Sequence, residues 1–562
     1  MSVLRLMGTE TEYAVSDFED TRSNPMQLPF DVVAGVADPS TQGIRWDYGE
    51  EDPTHDARGM RLSRAAAPAS MLTDAPQLHI TNVIAPNGGR IYVDHAHPEY
   101  SAPETNDPFM AVRYDHAGDA LMEQAAIRAG RRTGRQIQLH RNNVDGKGAS
   151  WGTHENYQML RSVPFAQVQG LMTAHFVTRQ IYAGSGRVGI GERSETPGFQ
   201  LSQRADYIHS RIGLQTTFER PIINTRDESH STDEFRRLHV IVGDANRMDV
   251  PQVLKLGTTS MLLWMLEMRM LRPELNRVEG HMPLDFVDPV EAMHIVSHDL
   301  GLSARLALDG GEEITALEMQ RRLLEAVERT GSDVYGRRGG DSSGIDWPDP
   351  STERVMHMWR EILSDLCKVR DAGDEERLGM RDEASRIEWL AKWQLLHALE
   401  IRIRHREHGR MPGTGVSNGA SNGESAESWS DPRLRALDLA WSAVDSGKGL
   451  FARMQGRLER TVSDDELRQA CAEPPQDTRA WLRARLVRRF PTQIIGVAWA
   501  RMTVRDDRGG DHAKTLRLDM RDSSKFGKSR CEAVLQRADS AAEAVEMLAA
   551  EPFAADRDWR LR

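Results

Sequence analysis

Gly8-Thr9-Glu10-Thr11-Glu12-Tyr13 sets two carboxylates two residues apart, with a threonine between them. Successive side chains of a strand point to opposite faces, so Glu10 and Glu12 share one face. The same arrangement recurs twice further along the chain. In Gly89-Arg90-Ile91-Tyr92-Val93-Asp94, the residues Arg90, Tyr92 and Asp94 stand opposite Ile91 and Val93. In Arg237-Leu238-His239-Val240, Arg237 and His239 stand opposite Leu238 and Val240. A single such pair is ordinary on the solvated face of a sheet. Three of them in one sheet make a concave surface dense in carboxylate, imidazole and guanidinium groups.

Around these segments, residues 3–15 and 136–140 also have strand patterning. Helices are predicted to open at Asp107-Pro108, an N-cap followed by proline, and to cover residues 165–183 and 252–271. Strands mixed with helices of varied length predict an α+β fold. Beyond residue 290 the pattern is mostly helical, as in 319–329 and 381–402. Residues 409–430 are a Gly/Ser/Asn-rich flexible insertion. A catalytic domain over 1–480 and a small C-terminal domain over 481–562 are expected. Residues 38–76 are polar, broken by Pro and Gly, and without periodicity; so long a loop is usually functional or disordered.

The chain has 562 residues, enough for more than one core, with 39% hydrophobic and 28% charged residues. A net charge of −12 argues against a dedicated nucleic-acid binder. Cys367, Cys471 and Cys531 are widely spaced, which fits a reducing compartment and excludes a disulfide framework. Met1 to Arg5 lead directly into polar residues, so no signal peptide is expected, and no segment approaches a membrane span. A cytoplasmic protein is expected.

Mg²⁺ takes hard oxygen ligands, few carboxylates together with phosphate oxygens. Glu10, Glu12 and Glu99, with His154 and His239 as nitrogen ligands, form a set that could hold Mg-ATP, and Arg90 supplies charge for phosphate. Asp94 ends one strand and is followed by a turn and a second carboxylate, an arrangement that can orient or perform attack on a carbonyl. The alternative is a turn-starting aspartate. His95 and His97 fit the turn, or a place behind the metal ligands, better than direct ligation. Arg187, Arg193, Arg204, Arg226, Arg236 and Arg237 form a basic group, either solvated or lining a groove for an acidic partner, one of them stabilising phosphate or an oxyanion. Three tempting motifs fail. Gly184-Ser185-Gly186-Arg187-Val188-Gly189 follows a helix rather than a strand, Asp145-Gly146-Lys147-Gly148 lacks Walker A spacing, and His154-Glu155-Asn156-Tyr157 has Gln158 where a zincin needs histidine.

Seven segments in order resemble one family: GTETEY (8–13), GGRIYVDHAHPEYSAPE (88–104), HRNNVDGKGASWGTHENY (140–157), GSGRVGIG (184–191), QLSQRADYI (200–208), PIINTRDE (221–228) and RRLHVIVGDAN (236–246). The chain resembles the Dop/PafA family, the Pup deamidase/depupylases and Pup ligases, relatives of glutamine synthetase. The likeness is dense over residues 1–260 and thinner between 430 and 500. DHAHPEYSAPE, NNVDGKGAS and the 38–76 segment resemble the depupylase branch; the ligase branch is the alternative. The resemblance implies a glutamine-synthetase-like domain with a curved, mostly antiparallel sheet holding ATP and Mg²⁺, and a small C-terminal domain beside it. It implies metal positions at Glu10, Tyr92 and Glu99, nucleotide contacts at Arg90, Ala102 and Trp499, and a catalytic aspartate at Asp94. Whether Asp94 attacks directly or orients water or phosphate stays open. The implied reaction hydrolyses the side-chain amide of the C-terminal glutamine of Pup, and the isopeptide joining Pup to substrate lysines. Pup and pupylated proteins are the implied partners. A small-molecule carboxylate–amine ligase and an inactive Pup-binding adaptor are the other readings.

Overall fold

Six strands form the principal sheet: Met7–Glu12 (β1), Asn82–Ile84 (β2), Arg90–Asp94 (β3), His97–Ser101 (β4), Thr153–Leu160 (β5) and Phe235–Val240 (β6). In the computed structural model they run in the order β6-β5-β1-β4-β3-β2, each neighbour antiparallel. The structure describes residues 3–20, 22–41, 43–67, 82–145, 148–189, 198–277, 285–338, 344–408, 429–509 and 514–552. Arg193, residues 68–76 of the early loop and residues 409–428 of the insertion lie outside the described residues.

Period-two burial explains the layering. Along β5, Thr153, Glu155, Tyr157 and Met159 are buried while His154, Asn156 and Gln158 are partly open. The buried faces of β5 and β6 put Tyr157, Met159, Leu238 and Val240 into the largest apolar cluster. Pro108–Thr133 (α1) covers the other half of the sheet, where Ile91 and Tyr100 pack with Ala117 and Met122. Asp107 caps α1 by accepting from the backbone N–H groups of Phe109 and Met110, and Pro108 stands at its first turn. Gly118 on α1 lets the Tyr100 ring in, since a Cβ there would lie 2.2 Å from it. In Asp249–Leu271 (α2) every residue from Asp249 to Met268 is buried, so this helix is enclosed on all sides and runs through the core.

Two predicted helices are divided. Residues 165–183 form Phe165–Thr178 and Gln180–Ala183, parted at Arg179, which is buried and ion-paired with Glu155 at 2.5 Å. Residues 381–402 fall into Arg381–Ala384 and Glu388–His408.

Near the C-terminus, Arg479–Arg489 (α3) packs with a second sheet of Ile494–Val497 (β7), Arg501–Asp506 (β8) and Lys514–Asp519 (β9). Its outer strand is Arg45–Trp46, parallel to β7, so a piece of the early loop completes this sheet. Trp46 is buried there with Trp481, Val497 and Met502. A two-residue strand has no periodicity to detect, which is why the sequence shows only a loop. The same loop crosses the molecule: the backbone of Ala57 donates to Thr225, and that of Asp227 donates to His55. Among the described residues no helix is long and apolar enough to cross a membrane.

Candidate active site

The polar face of the principal sheet floors a cavity of 530 Å³. Glu10, Glu12, Tyr92, Asp94, Glu99, His154 and His239 all line it, as do Arg90, Arg204, Arg226, Arg237 and Trp499. Ala102 lines instead an adjoining cavity of 90 Å³, which shares Glu10, Arg237 and Trp499 with the larger one. Strand register makes this convergence: Glu10 pairs with His154, while Glu99 pairs with both Glu12 and Tyr92.

Within the hollow the ionisable groups fall into two sets, Glu10 with His154 and His239, and Glu12 with Asp94 and Glu99. In each set the possible ligand atoms lie within 4.8 Å of one another. Like charges so close cannot all ionise without a countercharge. Burial, then the charges of Asp94, Glu12 and Glu10, push the Glu99 carboxyl well above the usual carboxylate range. Its Oε2 is buried without a hydrogen-bond partner. Burial pushes Asp94 up too, but the His95 hydrogen bond and the charges of His95, His154 and Arg226 outweigh it, and its pKa falls. Of this pair, Asp94 holds the negative charge and Glu99 the proton. Burial, followed by Arg237 and His154, keeps His239 neutral.

Asp94 sits at the end of a hairpin whose two-residue loop is His95-Ala96. Asp94 and His97 face each other across it, and both loop residues are left-handed, with φ of 43° and 70°. That backbone suits Gly or Asn best, so two other residues there store strain of about 1 kcal/mol or more each. The loop aims the His95 Nδ1 at Asp94 Oδ1, 2.8 Å away. His97 opens β4, its Nδ1 3.6 Å from Glu12 Oε2 and its ring 5.0 Å from that of Trp151.

The arginines divide by environment. Arg204 is fully buried and its guanidinium donates to the carbonyls of Trp151 (2.5 Å) and Ile241 (3.0 Å); burial, helped by Arg220, lowers its pKa to about 9. Arg237 donates to Glu228 Oε2 at 3.1 Å and Arg226 stands 3.7 Å from the same oxygen. Arg90 is caged, its guanidinium carbon 3.8 Å from the Tyr92 ring centroid and 4.0 Å from that of Trp46. Trp46 in turn meets Trp499 edge-on at 5.2 Å, joining the second sheet to the hollow. Arg187 and Arg236 turn away, toward Asp206 and the Arg161 carbonyl. Arg236 precedes Arg237 on a strand, so alternation alone separates them.

Sequence reasoning passed over Asn156, Glu228 and Trp46. Asn156 follows His154 by two on β5, and period two would have placed it in the hollow had β5 been recognised as a strand. Glu228 reaches it from a loop, and Trp46 reaches Arg90 from a strand of only two residues; neither leaves such a signal.

This architecture, a polar sheet hollow roofed from a second sheet, has known counterparts. Residues 5–503 match the family model described as Pup-ligase protein. The chain belongs to that family. It is 40% identical to the Pup deamidase/depupylase of Mycobacterium tuberculosis, over 98% of this chain and 99% of that one. It is 35% identical to a Pup–protein ligase of Actinosynnema mirum, over 72% of this chain and 79% of the relative. The solved complex of Pup with its ligase PafA superposes with a TM-score of 0.68 at 25% identity, covering 97% of this chain and 92% of that one. PafA in complex with ADP superposes at 0.63 and 26% identity, over 83% and 89%.

Proposed function

We propose that this chain is a cytoplasmic Pup deamidase and depupylase, a hydrolase that cleaves the glutamyl side-chain amide at the C-terminus of Pup and the isopeptide linking Pup to lysine. The closer likeness is to a deamidase/depupylase over the full length, and the ligase likeness is lower and shorter. Nucleotide binding is supported by the ADP complex of the related ligase.

The hollow suits Mg-ATP on its own chemistry. Three carboxylates crowd one end, one with an orphaned buried oxygen, and oxygen-rich sets of this kind match Mg²⁺. Glu10, His154 and His239 would hold one cation and Glu12, Glu99 and Asp94 would face another, with Tyr92 beside Glu99. The bound cation supplies positive charge that ionises Glu99 and polarises phosphate or carbonyl oxygens. Arg204, Arg226 and Arg237 supply fixed charge for phosphate, and Arg90, braced between Trp46 and Tyr92, adds more. Ala102 and Trp499, at the less polar end, would lie beside the nucleoside.

The observation that carries the reading is the convergence of Asp94 with Glu12 and Glu99 at one wall of the hollow. Asp94, whose charge is favoured by His95, His154 and Arg226, is the group placed to act on a carbonyl, as nucleophile or as the residue that orients one. The strained His95-Ala96 loop holds it at the cavity wall rather than in solvent. Incubating the full chain with a Pup conjugate, Mg²⁺ and ATP tests this. Release of free Pup is expected; net growth of conjugate would make the chain a ligase instead.

A further inference from the structure

Asn156 touches three residues of the hollow at once, and the chemistry of its partners fixes its orientation. Its Nδ2 donates to Glu10 Oε1 at 3.2 Å. Arg237 donates through Nη1 to its Oδ1 at 3.1 Å. A carboxylate only accepts and a guanidinium only donates, so the amide cannot be flipped. His239 Nδ1 lies 2.9 Å from that same Oδ1, and a nitrogen facing an acceptor at this distance must carry hydrogen. The His239 Nε2 faces His154 Nδ1 at 3.0 Å, with one hydrogen between the two nitrogens. That leaves His154 Nε2 directed at Glu12 Oε1, 3.5 Å away. A hydrogen-bonded line thus runs from Glu10 through Asn156 and His239 to His154.

From this geometry we infer that Asn156 is a positioning residue: it sets which nitrogen of His239 bears the proton, and it holds Glu10 in place. The backbone supports this. On β5, Asn156 is flanked by Gly8 of β1 and His239 of β6, so its amide lies midway between the strands that carry its partners. Residues that orient a ligating histidine by accepting from its second nitrogen govern metal affinity by about 10- to 100-fold. The effect on cation binding rests on the reading of Glu10 and His239 as ligands; the effect on the rings does not.

The test uses the full chain, free of metal and nucleotide, with ¹⁵N-labelled histidine, and reads ring protonation by NMR; Mn²⁺ affinity is then measured by EPR titration. His239 is expected to be protonated at Nδ1. Asn156→Ala is expected to shift His239 toward the Nε2–H form and to weaken Mn²⁺ binding about 10- to 100-fold. Asn156→Asp keeps the acceptor and the shape but loses the donor to Glu10, so it should retain the His239 Nδ1–H signal. If Asn156→Ala does not fold, the aspartate variant decides alone, and loss of that signal in it overturns the inference. An alanine variant with unchanged rings overturns it as well. Shifted rings with unchanged Mn²⁺ affinity uphold the positioning role and reject Glu10 and His239 as ligands.

Discussion

Glu99 and Glu104 stand five residues apart on one stretch of chain, and burial pushes the pKa of each upward, yet they end in opposite states. Glu104 lies between two arginines of α3. Arg479 Nε donates to its Oε1 at 2.7 Å and Arg483 to its Oε2 at 2.5 Å, and these charges bring its pKa down to about 2. Glu99 faces Asp94, Glu12 and Glu10 instead, and its pKa rises. Desolvation is common to both, so the sign of the neighbours decides. Where the charges cancel, the residue fastens α3 to the sheet; where they do not, the carboxyl keeps its proton.

The strongest way to break this contrast is Asp94→Asn in the hollow. We expect Pup release to fall about 10³-fold, with an unchanged urea unfolding midpoint. A fully active variant would remove Asp94 from the chemistry. On the other side, Glu104→Ala leaves Arg479 and Arg483 without their carboxylate. It should cost about 3–5 kcal/mol of unfolding free energy; a loss under about 1 kcal/mol would show the joint to be ornamental.

Titrating stability against pH sharpens the contrast, because the two glutamates have opposite signs. The folded pKa of Glu104 is depressed, so its contribution is present above the unfolded value and lost as pH falls toward 2. That loss amounts to about 3 kcal/mol at about 1.4 kcal/mol per unit. The folded pKa of Glu99 is raised, so its contribution is full below the unfolded value and lost as pH rises through the folded one. Metal-free protein should therefore lose stability as pH rises from about 5, and saturating Mg²⁺ should abolish that slope. An identical slope with and without Mg²⁺ would count against a cation at this end of the hollow.

The smallest effect is expected from Glu99→Gln. Above the pH at which Glu99 ionises, removing its charge from the crowded set should stabilise metal-free protein by about 1 kcal/mol, as is common where a site carries functional strain. The same change should weaken Mg²⁺ binding measured by calorimetry. A variant that is destabilised would mean Glu99 is already balanced by a partner.

Much of the hollow was legible before any coordinates. Glu10, Arg90, Tyr92, Asp94, Arg237 and His239 come from three alternating segments, and alternation needs only the two-fold repeat of a strand. His154 and Glu99 were found by residue type, although the strands that carry them, β5 and β4, were not recognised. Asn156 went unnoticed for the same reason. The cage on Arg90 was also hidden, because Trp46 comes from a two-residue strand inside a segment without periodicity.

By itself the sequence determined which side chains face together along each strand, since pleating is local and the same in every sheet. It also determined the chemical kind of the hollow, since that follows from which residue types share those faces. The tertiary structure alone decided which strands are neighbours, and hence that Glu99 meets acids while Glu104 meets arginines. The arginines of Glu104 lie 375 and 379 residues away in the chain, and Glu10 and Glu12 reach Glu99 from another strand. A pKa depends on distances across the fold, which no local pattern encodes.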